Sequence, residues 1–305
     1  MAFADPSSGT TPGSPPATAR KGRLGIVILV GAGPGDPGLL TVRAVERIRA
    51  ADVLVYDRLI HDGALALARP SAEQIYMGKE SGHHTRQDEI HALLVEKARQ
   101  GKTVVRLKGG DPFLFGRGGE EVEYLAEHGI PFEVVPGVSS CLSAPLSAGI
   151  AVTHRESSSS VVIVTGHSAD GHEDRVDWEA VARIDTSVFL MGVHNIETIA
   201  RRLIAAGRSP DTPAAMIQMA YCKGERVVMG TLENIAAEVR RANIQPPATL
   251  VVGEVVRLRE RLQQLVALHA TQKEIGGRLT WPQFLLKRWR KRCISCWSNV
   301  PERKI

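Results

Sequence analysis

Short apolar runs recur along this chain, and over residues 24–137 each gives way to a segment with helical spacing. The first run, GIVILV (Gly25–Val30), leads through glycines into a helix with Leu40, Ala44, Val45, Ile48 and Ala51 on one face. Arg43, Glu46, Arg47 and Arg49 occupy the opposite face, and Asp36-Pro37 reads as the start of that helix. ADVLVYD predicts a second strand ending at Asp57. RQDEIHALLVEKARQG predicts a helix with Ile90, Leu93, Leu94 and Ala98 inward and Gly101 as its stop. KTVVRLKGGDP, GGEEVEYLAEHG and PFEVVPG then read as strand, helix and strand. Such alternation predicts a parallel sheet with crossover helices.

After Pro136-Gly137 the pattern changes. A small-residue helical stretch, SSCLSAPLSAG, and THRESSSS precede VVIVTG, SVFLM, AAMIQM, ERVVMG and TLVVGEVV. Strand follows strand more often here, which predicts a mixed sheet. The expectation is therefore two α/β domains, 24–137 with a parallel sheet and 138–264 with a mixed one, and a ligand cleft between them. Residues 1–23 read as a disordered leader and 265–305 as a poorly ordered basic tail, and no internal repeat at a solenoid period is present.

Composition narrows this picture. No apolar run approaches the roughly 20 residues that span a bilayer, and the Pro/Ser/Gly-rich leader has no apolar core of a signal peptide. Cys141, Cys222, Cys293 and Cys296 are scattered, which speaks for a cytoplasmic protein and against a disulfide framework. The net charge of +5 belongs to the ends: 278–305 carries +7 and 1–23 carries +2, so 24–277 carries −4. The basic pI thus says nothing about what the globular part binds.

Three strands of the first half end in unusual chemistry, where α/β sheets place ligand groups. The first ends in GAGPGDP. Gly31 and Gly33 fit the dinucleotide fingerprint, but Asp36 stands where its third glycine belongs. Pro34 and Pro37 also remove N–H donors that a diphosphate would use, so the loop suits a ligand without phosphates, or is a tight structural turn. Asp57 reads as a ribose ligand, a proton acceptor at a cleft, or a solvated acid. In RLKGGDPFLFGRGGEE, Gly109 and Gly110 allow close approach and Asp111 can accept hydrogen bonds from a ligand. Arg117 there is a candidate carboxylate clamp. His83, His84, His91, His154, His167 and His172 form no metal-binding spacing, and CISC (293–296) lacks a second pair, so no metal is expected.

In this order and spacing, VGAGPGDPGLLT, RLKGGDPFLFGRGGEE, VPGVSS and AGIAVTHRE closely resemble the uroporphyrinogen-III C-methyltransferases. The resemblance runs from about Leu24 to about Leu262. It implies S-adenosyl-L-methionine as methyl donor, leaving as S-adenosyl-L-homocysteine, with contacts from Pro34, Gly109, Gly110, Asp111 and Leu114. Ser139 and Ser140 fall where relatives often show Thr-Ala, and Met191 and Ala220 fall at cofactor positions of the second domain. The implied reaction methylates C2 and C7 of uroporphyrinogen III, giving precorrin-2 through precorrin-1, for sirohaem or cobalamin. By resemblance Asp57 is the proton acceptor and Lys79 the donor, and the protein is a homodimer.

A polycarboxylate substrate on a net-negative core requires a local cluster of cations, for which Arg117, Arg155 and Lys79 are candidates. Arg106 and Lys108 flank a buried strand and are weaker ones. Without a preceding dehydrogenase/chelatase domain the expected product is precorrin-2. The tail departs from the family: Trp281, Phe284, Leu285 and Trp289 at helical spacing, with basic residues interleaved, read as an amphipathic surface helix or as an extension with incidental charge. Three other readings compete: a later corrin-ring methyltransferase, an NAD-dependent oxidoreductase, and nucleic-acid binding through the tail. GRGGEE with VTHRE disfavours the first and Asp36 the second. Neither nucleic acid nor an integral membrane association is expected.

Overall fold

The computed structural model describes residues 23–78, 87–166 and 176–272. In the first half the strands are β1 (Ile26–Gly31), β2 (Val53–Tyr56), β3 (Glu73–Tyr76), β4 (Thr103–Lys108) and β5 (Phe132–Val135). Helices α1 (Val42–Ala50), α2 (Asp62–Leu65), α3 (Gln87–Arg99) and α4 (Gly118–Glu127) alternate with them. The sheet is all parallel, in the order β3-β2-β4-β1-β5. β1 reads as an unbroken apolar run because both its faces are covered. Ile28 and Val30 pack with Ala44, Ile48 and Ala64 on one side, and Val27 and Leu29 with Ile90, Leu94 and Leu125 on the other.

Strand order dictates where a ligand can enter. The chain leaves β1 towards β2 in one direction and leaves β4 towards β5 in the other, and β1 and β4 are neighbours. Right-handed crossovers in opposite directions put their helices on opposite faces. The carboxyl ends of β1 and β4 therefore open a crevice at a topological switch point.

In the second half β6 (Val161–Thr165), β7 (Thr186–Leu190), β8 (Pro213–Gln218), β9 (Arg226–Thr231) and β10 (Ala248–Val252) form a sheet ordered β6-β7-β10-β8-β9. β6 and β7 are parallel and the other pairings antiparallel, the mixed sheet expected. Helices α6 (Trp178–Arg183), α7 (Ile196–Ala205) and α8 (Ile235–Arg241) accompany it, and residues of α7 and α8 fill the core on one face. The other face receives α5 (Ser140–Ser147), whose Ala144 and Cys141 pack against β8, β10 and β7. The chain closes with α9 (Arg257–Gln272). No described helix is long and apolar enough to cross a membrane.

Some elements differ from the pattern reading. Asp36 caps a 3-10 turn at Pro37–Leu39, accepting from Gly38 N at 2.7 Å, while α1 starts later under its own cap, Thr41. In α3 the buried stripe is Ile90, His91, Leu94, Val95 and Ala98, so Leu93 lies at its edge. TLVVGEVV is a strand that stops at Val252, where Gly253 (φ 147) turns the chain into a 3-10 helix. β3 escapes notice because, as an edge strand with mostly exposed side chains, it has no apolar run. The basic tail and its cysteine pair lie outside the described residues.

Candidate cofactor and active site

The loops after β1 and β4 are clasped to each other through glycine backbone. Gly33 N donates to Gly110 O at 3.2 Å, Gly110 N returns a bond to Gly33 O at 2.8 Å, and Ala32 N donates to Lys108 O at 2.8 Å. Both Gly33 (φ 71) and Gly110 (φ 66) have the left-handed backbone that glycine adopts without strain. The turn at Gly137 closes over this pair. A Cβ at Gly31 would lie 2.5 Å from Gly137 N and 2.7 Å from Gly110 O. Asp111 locks the third side, its Oδ1 accepting from Phe113 N at 2.9 Å and its Oδ2 from Gly137 N at 3.1 Å.

This clasp answers what the glycine- and proline-rich loop can hold. The N–H groups of Ala32, Gly33 and Gly38 are spent inside the protein, and Pro34 and Pro37 have none. A diphosphate needs a nest of converging N–H donors. The loop instead presents glycine backbone and a proline ring, which fits a cofactor without phosphates.

The second half of the chain meets the loop at its tip. Cys222 Sγ lies 3.7 Å from Pro34 O, and a side chain on Gly35 would collide with that sulfur and approach Ala220 O. Burial raises the Cys222 thiol above its ordinary value, with Asp36 and Glu225 adding to the effect, so it is a packing group and not a thiolate. Leu114 packs beside Cys141, Val188 and Leu190, next to the exposed Met191. Ser139 caps α5 by accepting from Cys141 N, and Gly110 faces the Ser139–Ser140 backbone. Phe115, Arg117, Met191, Met219 and Tyr221 all hold positive φ, and such strain gathers at functional sites. The structure thus collects Pro34, Gly110, Asp111, Leu114, the two serines and Ala220 around one crevice, with Gly109 facing Leu59 on the loop after β2.

Charge is distributed unevenly there. Asp57 follows β2, its Oδ1 accepting from Leu59 N at 3.0 Å and its Oδ2 3.5 Å from Arg106 Nη2. Arg106 and Lys108 point into the protein, as a buried strand requires, and meet Glu121 of α4 at 3.4 and 2.7 Å. Gln87 Nε2 donates to the same Glu121 oxygen at 3.1 Å and lies 3.1 Å from His91 Nε2. Arg117 is exposed and grips Glu120 through Nε and Nη2, a hydrogen bond that raises the guanidinium's pKa. Arg155 is exposed on the turn His154–Ser158, between α5 and β6. Lys79 lies outside the described residues. Sequence reasoning missed Glu121, Gln87 and Gly137. Two acids in a helix's first turn read as ordinary dipole partners, and only the fold turns one of them inward.

The two-domain architecture, with loops converging on a switch-point crevice, defines a class of α/β ligand-binding enzymes. The model of the tetrapyrrole (corrin/porphyrin) methylases matches residues 26–236, and the chain belongs to this family. It is 50% identical over 237 residues to a uroporphyrinogen-III C-methyltransferase of Methanocaldococcus jannaschii, covering 77% of this chain and 98% of that one. It is 49% identical to a siroheme synthase of Stutzerimonas stutzeri, covering 78% of this chain but 52% of that protein. The chain spans about half the length of such synthases. Among solved structures, the uroporphyrin-III C-methyl transferase of Thermus thermophilus complexed with S-adenyl homocysteine is 45% identical, with a TM-score of 0.68 over 77% of this chain and 100% of that one.

Two predictions follow from this geometry. Gly137→Ala forces a methyl into the clasp and costs about 1–3 kcal/mol of stability; urea denaturation with a loss under about 0.5 kcal/mol would contradict the close approach. Burial holds the His91 pKa below the ordinary histidine value of about 6.5, with Glu121 opposing. Below that value the unfolded chain binds a proton that folded His91 resists, so stability falls as pH drops through this window and is unaffected above it. Urea midpoints at about pH 7.5 and 5.5 should differ less in His91→Phe than in the parent; equal differences would refute the assignment.

Proposed function

We propose that this protein transfers methyl groups from S-adenosylmethionine to C2 and C7 of uroporphyrinogen III, giving precorrin-2 by way of precorrin-1. The observation that carries the reading is the clasped loop, which withholds phosphate-binding N–H groups. It stands in a chain half identical to a uroporphyrinogen-III methyltransferase over nearly that enzyme's whole length. When bound, S-adenosylmethionine supplies an electrophilic methyl on a sulfonium.

The residues of the chain have three tasks. Pro34, Gly109, Gly110, Asp111 and Leu114 give the cofactor a close-fitting wall from the first domain, Ser139 and Ser140 line the junction, and Met191 and Ala220 enclose it from the second domain. An unoxidised pyrrole carbon is already nucleophilic, so alignment removes much of the barrier. Asp57 takes the proton that must leave the methylated ring at its Oδ2, and Lys79 acts as donor. Arg117 and Arg155 bind substrate carboxylates, Arg117 through the part of its guanidinium not turned to Glu120. The same reading takes residues 24–137 and 138–264 as the two domains and the protein as a cytoplasmic homodimer. The free thiols Cys141 and Cys222 support the compartment, and the exposed Leu142 and Leu146 on α5 offer a face to a second copy.

Anaerobic incubation with uroporphyrinogen III and methyl-labelled S-adenosylmethionine should add two labelled methyl groups to the tetrapyrrole, read by mass. Asp111→Ala removes both hydrogen bonds that hold the third loop, and transfer should fall about ten- to a hundredfold. No transfer by the parent, or full transfer by the variant, would overturn the reading or the site.

A further inference from the structure

We propose that Glu121 is a positioning residue: it draws Lys108 and Arg106 away from Asp57 and so keeps that carboxylate free to accept a proton. The inference rests on the methyltransferase reading for the role of Asp57, but its geometry stands independently. Glu121 is 0% exposed. Its Oε1 collects Lys108 Nζ at 2.7 Å, Gln87 Nε2 at 3.1 Å and Arg106 Nε at 3.4 Å, while its buried Oε2 has no partner among the described residues.

A carboxylate buried this completely forfeits its hydration, and an apolar side chain of similar volume would often serve stability as well. Its arrangement serves something else. Arg106 sits beside β2, in register with Val55, and spreads its fork over three acceptors. Nε faces Glu121, Nη1 donates to Leu107 O at 3.1 Å, and Nη2 reaches Asp57 Oδ2 at 3.5 Å. The close contact is thus Lys108 to Glu121, and the contact to Asp57 is long. Facing Asp57 from β4 are Arg106 and Lys108, and behind them from α4 is Glu121. His91 of α3 adds no charge near neutral pH, since burial holds it neutral. Among these described groups two cations balance two carboxylates, and Arg58, next to Asp57 in the chain, is exposed. Without Glu121, Arg106 would keep Asp57 as its one carboxylate partner among the described residues, and the charge of Lys108 would act on Asp57 unopposed, which makes it a poorer base.

Opposite charge changes give opposite expectations. In Glu121→Gln the titration of Asp57 should move down by about one pH unit, and the plateau kcat should fall about tenfold with the KM for S-adenosylmethionine unchanged. In Lys108→Gln, where Glu121 pulls Arg106 to itself, the titration should move up. Glu121→Gln combined with Lys108→Gln restores the balance and should return it towards the parent value. Asp57 is followed by NMR of 13C-labelled aspartate carboxyls, assigned with Asp57→Asn, alongside the pH profile of kcat. If Glu121→Gln does not fold, the Lys108→Gln variant and the double variant still carry the test. An unmoved titration, or shifts of one sign in both single variants, would overturn the proposal. Failure of the parent to methylate would instead strike the methyltransferase reading, because the NMR titration needs no turnover.

Discussion

Everything at the site depends on backbone packed against backbone where Gly31, Gly33, Gly110 and Gly137 meet. Three loops from β1, β4 and β5 reach that point because the parallel order β3-β2-β4-β1-β5 sets their strands side by side. Only residues without side chains can close there, since a Cβ on Gly31 would stand 2.5 Å from Gly137 N. The bonds between Gly33 and Gly110 then use up donors that a phosphate-binding loop would present. One packing constraint thus fixes both the shape of the crevice and the kind of ligand it excludes. Asp111 makes the arrangement rigid, bonding to its own loop and to Gly137.

Around the clasp the chain separates two kinds of chemistry. One side is made of glycine, proline and small side chains. The charged side is layered, with Asp57 at the mouth, Arg106 and Lys108 behind it, and Glu121 sealed beneath them. Of the cations near the clasp, Arg106 and Lys108 are committed internally to Glu121, while Arg117 and Arg155 stay exposed.

Much of the fold was legible because apolar periodicity reports burial. β1, β2, β4, β5 and the inner strands of the second sheet appear as apolar runs and form where the runs lie, and its edges β6 and β9 keep half-buried apolar side chains that β3 lacks. β3 did not appear because an edge strand has little to bury. The glycine and proline loop could be read as unsuited to phosphates, since missing N–H groups are visible in a sequence. That Gly33 and Gly110 consume each other's donors was not visible, because it depends on β1 and β4 being neighbours. Glu121 was hidden for the same reason: next to the exposed Glu120 it reads as a second solvated acid, until the register of β4 beneath α4 puts Lys108 against it. Asp111 was read as a ligand group, and the structure adds a second duty in holding Gly137.

The clasped loop admits a cofactor without phosphates and rejects a dinucleotide. Calorimetric titration of the protein with S-adenosylhomocysteine, and separately with NAD, tests it most directly. Stoichiometric binding of S-adenosylhomocysteine with no heat from NAD is the predicted result. Binding of NAD at the same site, displaced by S-adenosylhomocysteine or in its place, would contradict it.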